Sequence, residues 1–219
     1  MNFFDSFYKK DKDQKKMNFS LEVGPHTDLE TLPPVKDVYV TMLPGGDYKE
    51  TAAKSGDLVK KGFNPVPHFP ARSILDEHQL KDFITRCKDV GTKQALVIGG
   101  SRDPIGKFDS SIQILETGFF EGIKIGIAGH PEGSPDISDK ELEKAMMDKK
   151  PYADYIVTQW LLDSQPIVDF ISKQSVPVHV GITGPMKISS LIKFANIVGA
   201  KNSINFLRSN FSKALDLLK

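Results

Sequence analysis

The chain has 219 residues, with 29 Lys and Arg against 28 Asp and Glu and 39% hydrophobic residues. At roughly 100–200 residues per domain this is one large domain or two small ones, long enough to bury a core without disulfide or metal support. The net charge of +1 argues against a dedicated nucleic-acid binder, the single cysteine Cys87 rules out a disulfide framework and a multi-cysteine zinc site, and no apolar run of about 18 residues is present to span a bilayer.

Residues 1–17 place Phe3, Phe4, Phe7 and Tyr8 before a lysine-rich stretch. Positive charge after an apolar cluster is the reverse of a secretory signal, so a cytoplasmic setting is expected. The aromatic face predicts a short helix capping one end of a barrel or sheet. A membrane-surface anchor would call for a longer helix with a stronger apolar face.

From Asn18 to Lys219 the pattern is that of a single domain. Strand-like runs fall at Phe19–Val23, Val38–Leu43, Asn64–Phe69, Gln94–Ile98, Ile123–Ala128, Tyr155–Gln159 and Val178–Ile182. Helical patterns lie between them at Tyr48–Lys61, Asp76–Val90, Ser110–Glu121, Asp139–Lys149 and Gln165–Lys173, and another follows at Ile188–Val198. The first crossover, Thr31–Lys36, is too short for a helix and carries Pro33 and Pro34. Asp76 and Ser138 stand at N-cap positions, and Gly62, Gly91 and Gly199 where helices should stop. Strict alternation of strand and crossover implies parallel βαβ units.

Polar or small residues end nearly every strand: Glu22, Thr41, His68, Gly99-Gly100, Gly129-His130, Gln159 and Gly181. A barrel converges its strand ends on one site, and no GxGxxG follows the first strand, so a (β/α)8 TIM barrel is expected over a doubly wound sheet. After Val198 the sequence reads as helix through Leu218, so an eighth strand–helix unit is expected to be missing.

The strand ends also carry the candidate chemistry. Glu22 closes an apolar run, where burial raises a carboxyl's pKa and keeps it ready to donate a proton; a Glu tipping into solvent is the alternative. His68 sits in NPVPHFP, its backbone fixed by prolines, either as a ligand donor or as a histidine satisfied by the backbone. Gly99-Gly100 allow close approach of a ligand, and Arg102 and Asp103 bring opposite charges beside them. His130 and Glu132 lack a third ligand at a metal-site spacing, so no metal is expected. Gln159 offers a donor and an acceptor, suited to a heterocyclic amide edge. Cys87 is expected in the core, and paired lysines such as Lys149-Lys150 on the solvated surface.

Taken in order, SLEVGP, VTMLPGG, PHFPA, the Arg-Asp after QALVIGG, AGHPEGSPD and DYIVTQ resemble the methylenetetrahydrofolate reductase family over most of Asn18 to Phe194. The resemblance implies a barrel carrying FAD, which takes hydride from NAD(P)H and interconverts 5,10-methylenetetrahydrofolate and 5-methyltetrahydrofolate in one-carbon metabolism. It implies Glu22 as general acid, Asp103 beside flavin and pterin, and Gln159 on the folate. It further implies Thr41, His68, Arg102, Ala128, His130 and Lys149 (or Lys150) around the FAD, and Phe194 against the substrate. A homo-oligomer is also implied. Ser101-Arg102-Asp103 replaces the family's Arg-Gly-Asp turn, His130 its usual tyrosine, and Ser134 the second histidine of its PEGHPE pattern. Two other readings stand beside this one: a flavin-free folate-binding or methyl-transferring relative, and an inactive truncated barrel.

Overall fold

Each short apolar run forms one strand of a single parallel sheet. The computed structural model describes residues 18–134, 137–161, 163–184 and Ser190. The strands are β1 (Leu21–Val23), β2 (Asp37–Val40), β3 (Asn64–Pro70), β4 (Gln94–Ile98), β5 (Lys124–Gly129), β6 (Tyr155–Trp160) and β7 (Val178–Gly181). They lie side by side in chain order, every neighbouring pair parallel. The expected segment 1–17, the helices expected at Ile188–Val198 (Ser190 apart) and beyond, and Phe194 lie outside the described residues.

Helices cover one face. α1 (Tyr48–Lys60) starts where Asp47 accepts a hydrogen bond from Lys49 N at 2.8 Å, and α2 (Glu77–Asp89) where Asp76 accepts from Gln79 N at 2.8 Å. Both run into glycines with positive φ, Gly62 at 84° and Gly91 at 94°, as the C-terminal signals predicted. α2 buries Leu80, Phe83, Ile84 and Cys87, one stripe at helical spacing. α4 (Asp139–Lys149) opens with a capping box between Ser138 and Glu141, and α5 (Ser164–Ser172) is capped by Asp163.

One helix is shorter than its pattern. The spacing predicts Ser110–Glu121, but α3 covers only Ser111–Leu115. The Thr117 hydroxyl donates to the Ile114 carbonyl at 2.7 Å, and Gly118 adopts a φ of 71°, a left-handed geometry that stops the helix. The first crossover holds a single turn of 3₁₀ helix, Leu29–Thr31, before Pro33 and Pro34.

Strand register sorts the side chains. Glu22 pairs with Tyr39, Tyr39 with Val66, His68 with Leu96, Leu96 with Gly126, Gly126 with Tyr155, and Val157 with His179. Side chains paired across a sheet share a face. Phe69, Ala95, Val97, Ile125, Ile127 and Ile156 point the other way, into the helix-covered core. The inner face carries its own small cluster of Tyr39, Val66, Leu96 and Tyr155.

The inner face is concave. Tyr39 Oη on β2 and His179 Nδ1 on β7 lie 2.7 Å apart, in hydrogen bond. Five strand steps at about 4.8 Å would separate those strands by about 24 Å in a flat sheet, so the sheet has curled until the two meet across the interior. Seven parallel strands with intervening helices thus form a partial, TIM-barrel-like fold. An eighth strand is not present among the described residues. At the N-terminal end of the interior, Asn64 Nδ2 and Gln94 Nε2 both donate to the Asp37 carboxylate. Among the described residues no helix is long and apolar enough to cross a membrane.

Candidate functional site

The C-terminal ends of the strands gather most of the expected site residues on the same inner face, Glu22 in register with Tyr39 and His68 with Leu96. Glu22 on β1 and His68 on β3 face each other, with Oε2 and Nε2 3.9 Å apart. His68 is buried, its Nε2 has no hydrogen-bond partner among the described residues, and desolvation pushes its pKa down to about 4. Its ring meets Tyr39 edge to face, with centroids 6.0 Å apart. Glu22 answers both alternatives left open by the sequence: its side chain is 64% accessible, yet protein around the strand end raises its carboxyl above the ordinary range.

Gln159 lies in an irregular stretch of β6, where pairing with β7 shifts register between Val157 and Trp160. Such a bulge re-aims a side chain. Both amide atoms of Gln159 are buried and neither has a partner among the described residues. A buried amide left unpaired costs about 1–3 kcal/mol, and a ligand presenting a donor beside an acceptor would satisfy both atoms.

The end of β5 brings three more expected residues together. Lys149 is expected on the solvated surface as one of a lysine pair; instead it is buried, and its ammonium donates to the Ala128 carbonyl at 3.4 Å. Helix phase explains the difference, since Lys149 ends α4 on its inward side. Desolvation lowers Lys149 to about 8. His130 is held down to about 4, by burial first and by the neighbouring Lys149 charge second. Among the described residues Lys149 has no carboxylate partner, so it is a cation that could meet an anionic group.

The other expected residues are less engaged with this cluster. The Thr41 hydroxyl donates to the Val23 carbonyl at 3.2 Å, tying β2 to β1. Arg102 is half-buried, with its guanidinium 3.8 Å from where a Cβ on Gly45 would stand. Asp103 is exposed and makes no hydrogen bond or ion pair among the described residues. Among those residues, no three of His, Cys, Asp and Glu are grouped to hold a metal ion.

Several residues were not visible in the sequence as part of this site. Tyr39, Tyr155 and His179 form its floor: the rings of Tyr155 and His179 stack at 4.7 Å, and Tyr155 Oη donates to the Ala95 carbonyl at 3.2 Å. For Tyr39 and His179 the sequence signal is a polar residue alternating with valines in VYV and VHV, and Tyr155 only opens the strand-like run YIVTQ. Arg72 was missed as well; its side chain donates to the Asp109 carbonyl at 2.8 Å and to the Gly100 carbonyl at 3.5 Å, holding the loop after β4. Two shallow concavities, about 240 and 270 Å³, lie elsewhere, the first beside Leu115, Phe120 and Tyr152 and the second between α1 and α2. Neither touches the strand ends, and neither gathers buried unpartnered polar atoms as the strand ends do.

No family model matches the chain. Its backbone is similar to that of an uncharacterized Clostridium thermocellum protein that binds two copies of 5-methyl-5,6,7,8-tetrahydrofolic acid (TM-score 0.56, 12% identity, 91% of this chain and 82% of that one). It is similar also to a putative phosphonomutase from Burkholderia cenocepacia (TM-score 0.55, 10% identity, 91% and 94% covered). A third is oxaloacetate acetylhydrolase (TM-score 0.55, 9% identity, 75% and 69% covered). At these identities the likenesses establish the architecture, a TIM-barrel-like α/β fold, and nothing of the chemistry.

Proposed function

We propose that the strand ends bind a reduced folate, and that the protein is a flavin-dependent oxidoreductase of the methylenetetrahydrofolate reductase type. The observation that carries the reading is the Gln159 amide, buried with both polar atoms unpartnered at the end of the sheet that also carries Glu22 and His68. A pterin presents a planar edge of adjacent donors and acceptors, which matches that amide. The folate-binding Clostridium thermocellum structure of like fold supports the same ligand class.

The residues present fit a flavin in chemical kind. Lys149 is a buried cation without a carboxylate partner among the described residues, suited to phosphate, and the His68 ring lies at the same strand ends. Thr41, Arg102, Ala128 and His130 would complete that surface. When bound, FAD supplies hydride transfer between NAD(P)H and the folate one-carbon unit. Glu22, its carboxyl raised above the ordinary range by the surrounding protein, would deliver a proton to the folate nitrogen, while Gln159 orients the pterin. Asp103 would meet the ligand from the loop after β4.

The purified protein should carry, or take up, about one flavin per chain, and its reduced form should be reoxidised by methylenetetrahydrofolate. Glu22→Gln should slow the folate half-reaction by about 10²-fold or more while leaving nicotinamide-dependent flavin reduction within a few-fold. Equal loss of both half-reactions would refute the role of Glu22. A second reading, a flavin-free folate binder, is favoured by the Clostridium thermocellum likeness alone; a colourless protein that binds 5-methyltetrahydrofolate would establish it.

A further inference from the structure

We infer that His68 is the positioning residue for the Glu22 proton: its Nε2 lone pair accepts the hydrogen of the Glu22 carboxylic acid, so that the two act as one proton-sharing pair. This rests on the reading of Glu22 as an acid and adds a residue that acts through it.

The geometry comes first. His68 Nε2 is a buried polar atom with no partner, and the nearby Glu22 Oε2 stands 3.9 Å away. Buried nitrogens of this kind are rarely left orphaned. Closing the gap to a hydrogen bond takes a movement of about 1 Å. Only one partner can make it: His68 is locked, with Pro67 and Pro70 around it and the Tyr39 ring against its edge. Glu22, 64% accessible, can still turn.

Electrostatics then selects the direction of the bond. The inner face disfavours charge on both groups, lowering the imidazole to about 4 and raising the carboxyl. Between pH 4 and the raised value of Glu22, both are uncharged, and an uncharged acid beside an uncharged imidazole bonds as O–H to the ring nitrogen. Of the other titratable groups on this face, Tyr39 keeps its proton, because burial raises it far above neutrality, and its hydroxyl is engaged by His179. Lys149 and His130 belong to the β5 end and are not among the groups perturbing either partner. Hydrogen bonding to the neutral acid raises its pKa. His68 thereby keeps Glu22 protonated to a higher pH than burial alone.

The test uses the ligand-free protein. Glu22 is titrated by carboxyl ¹³C NMR in the wild type, His68→Leu and His68→Gln, with thermal unfolding recorded for each. The expected result is a Glu22 pKa lower by about one unit in His68→Leu, with partial recovery in His68→Gln, whose amide oxygen reaches the Nε2 position. An unchanged Glu22 pKa would overturn the proposal, and a raised one would show that Nε2 donates to the carboxylate instead. If the leucine variant does not fold, Glu22→Gln serves the same purpose. Coupling is reciprocal, so the His68 titration, read from its ring ¹³C shifts, must then move; if it does not, the pair does not exist. None of these readouts needs folate or flavin, so an inactive protein with a coupled pair refutes the functional reading alone.

Discussion

Replacing Gly126 by alanine tests the inner face directly. A Cβ on Gly126 would stand 2.4 Å from Tyr155 Cε2, 2.6 Å from Cζ and 2.9 Å from Oη. Ordinary contact between carbons needs about 3.5–4.0 Å, so the ring must retreat by more than an ångström. It has nowhere easy to go: Tyr155 is 4% exposed, stacked on His179 and hydrogen-bonded to the Ala95 carbonyl. Overpacking of this kind costs about 1–3 kcal/mol, and loss of the Tyr155 bond adds about 1 kcal/mol. The expected destabilisation is therefore about 2–4 kcal/mol. For a chain of this size that lowers Tm by about 5–15 °C, measured by circular dichroism. Tyr155→Leu removes the obstructing ring, so the double variant should be more stable than the summed single effects by about 1 kcal/mol or more. A Gly126→Ala protein melting within a degree of wild type, or strict additivity in the double variant, would refute the packing described here.

Tyr39→Phe removes the hydroxyl that meets His179 across the interior; a loss of about 1–2 kcal/mol in urea unfolding is expected, with a larger fall for Tyr39→Ala. Stability should also fall on acidification. His68 and His130 are held down to about 4 in the folded chain and return to about 6.5 when unfolded, so the unfolded chain binds more protons between those values. The stability they allow is present above pH 6.5 and drains away as pH drops towards 4, by on the order of 3 kcal/mol for the fully buried His68. The wild-type minus His68→Gln difference in urea midpoint should therefore grow between pH 4.5 and 7; a flat difference would show that His68 titrates normally.

How much of this was legible in the sequence differs by level. Strand positions were, because valine- and isoleucine-rich runs are bounded by Gly, Pro and capping residues. The length of α3 was not, since the Thr117 hydroxyl and Gly118 compete with an apolar pattern that continues past them. Inside and outside were harder still. Strands of a parallel sheet buried under helices on one face and curled in on themselves on the other lose the clean alternation of polar and apolar residues, so Tyr39 and His179 read as interruptions in valine runs. Of the candidate site, Glu22, His68 and Gln159 were found because they end strands. What left Gln159 unpaired, a register shift against β7, depends on two segments meeting in space. The burial of Lys149 likewise depended on which side of a helix end turns inward.

The strict chain order of the sheet bears on how this protein folds. Neighbouring strands join residues 17 apart (Glu22 with Tyr39) to 30 apart (Leu96 with Gly126). Each βα unit can therefore add to the one before it by closing a short loop. The Tyr39–His179 bond is of another kind, linking residues 140 positions apart. It can form only after the intervening strands have assembled and curved, since loop closure over that span is repaid by no local contact. Folding should then proceed as growth of a sheet followed by a late closing step. Substitutions at Tyr39 or His179 would act mainly on the unfolding rate, while those in the β3–β4–β5 centre would slow folding itself.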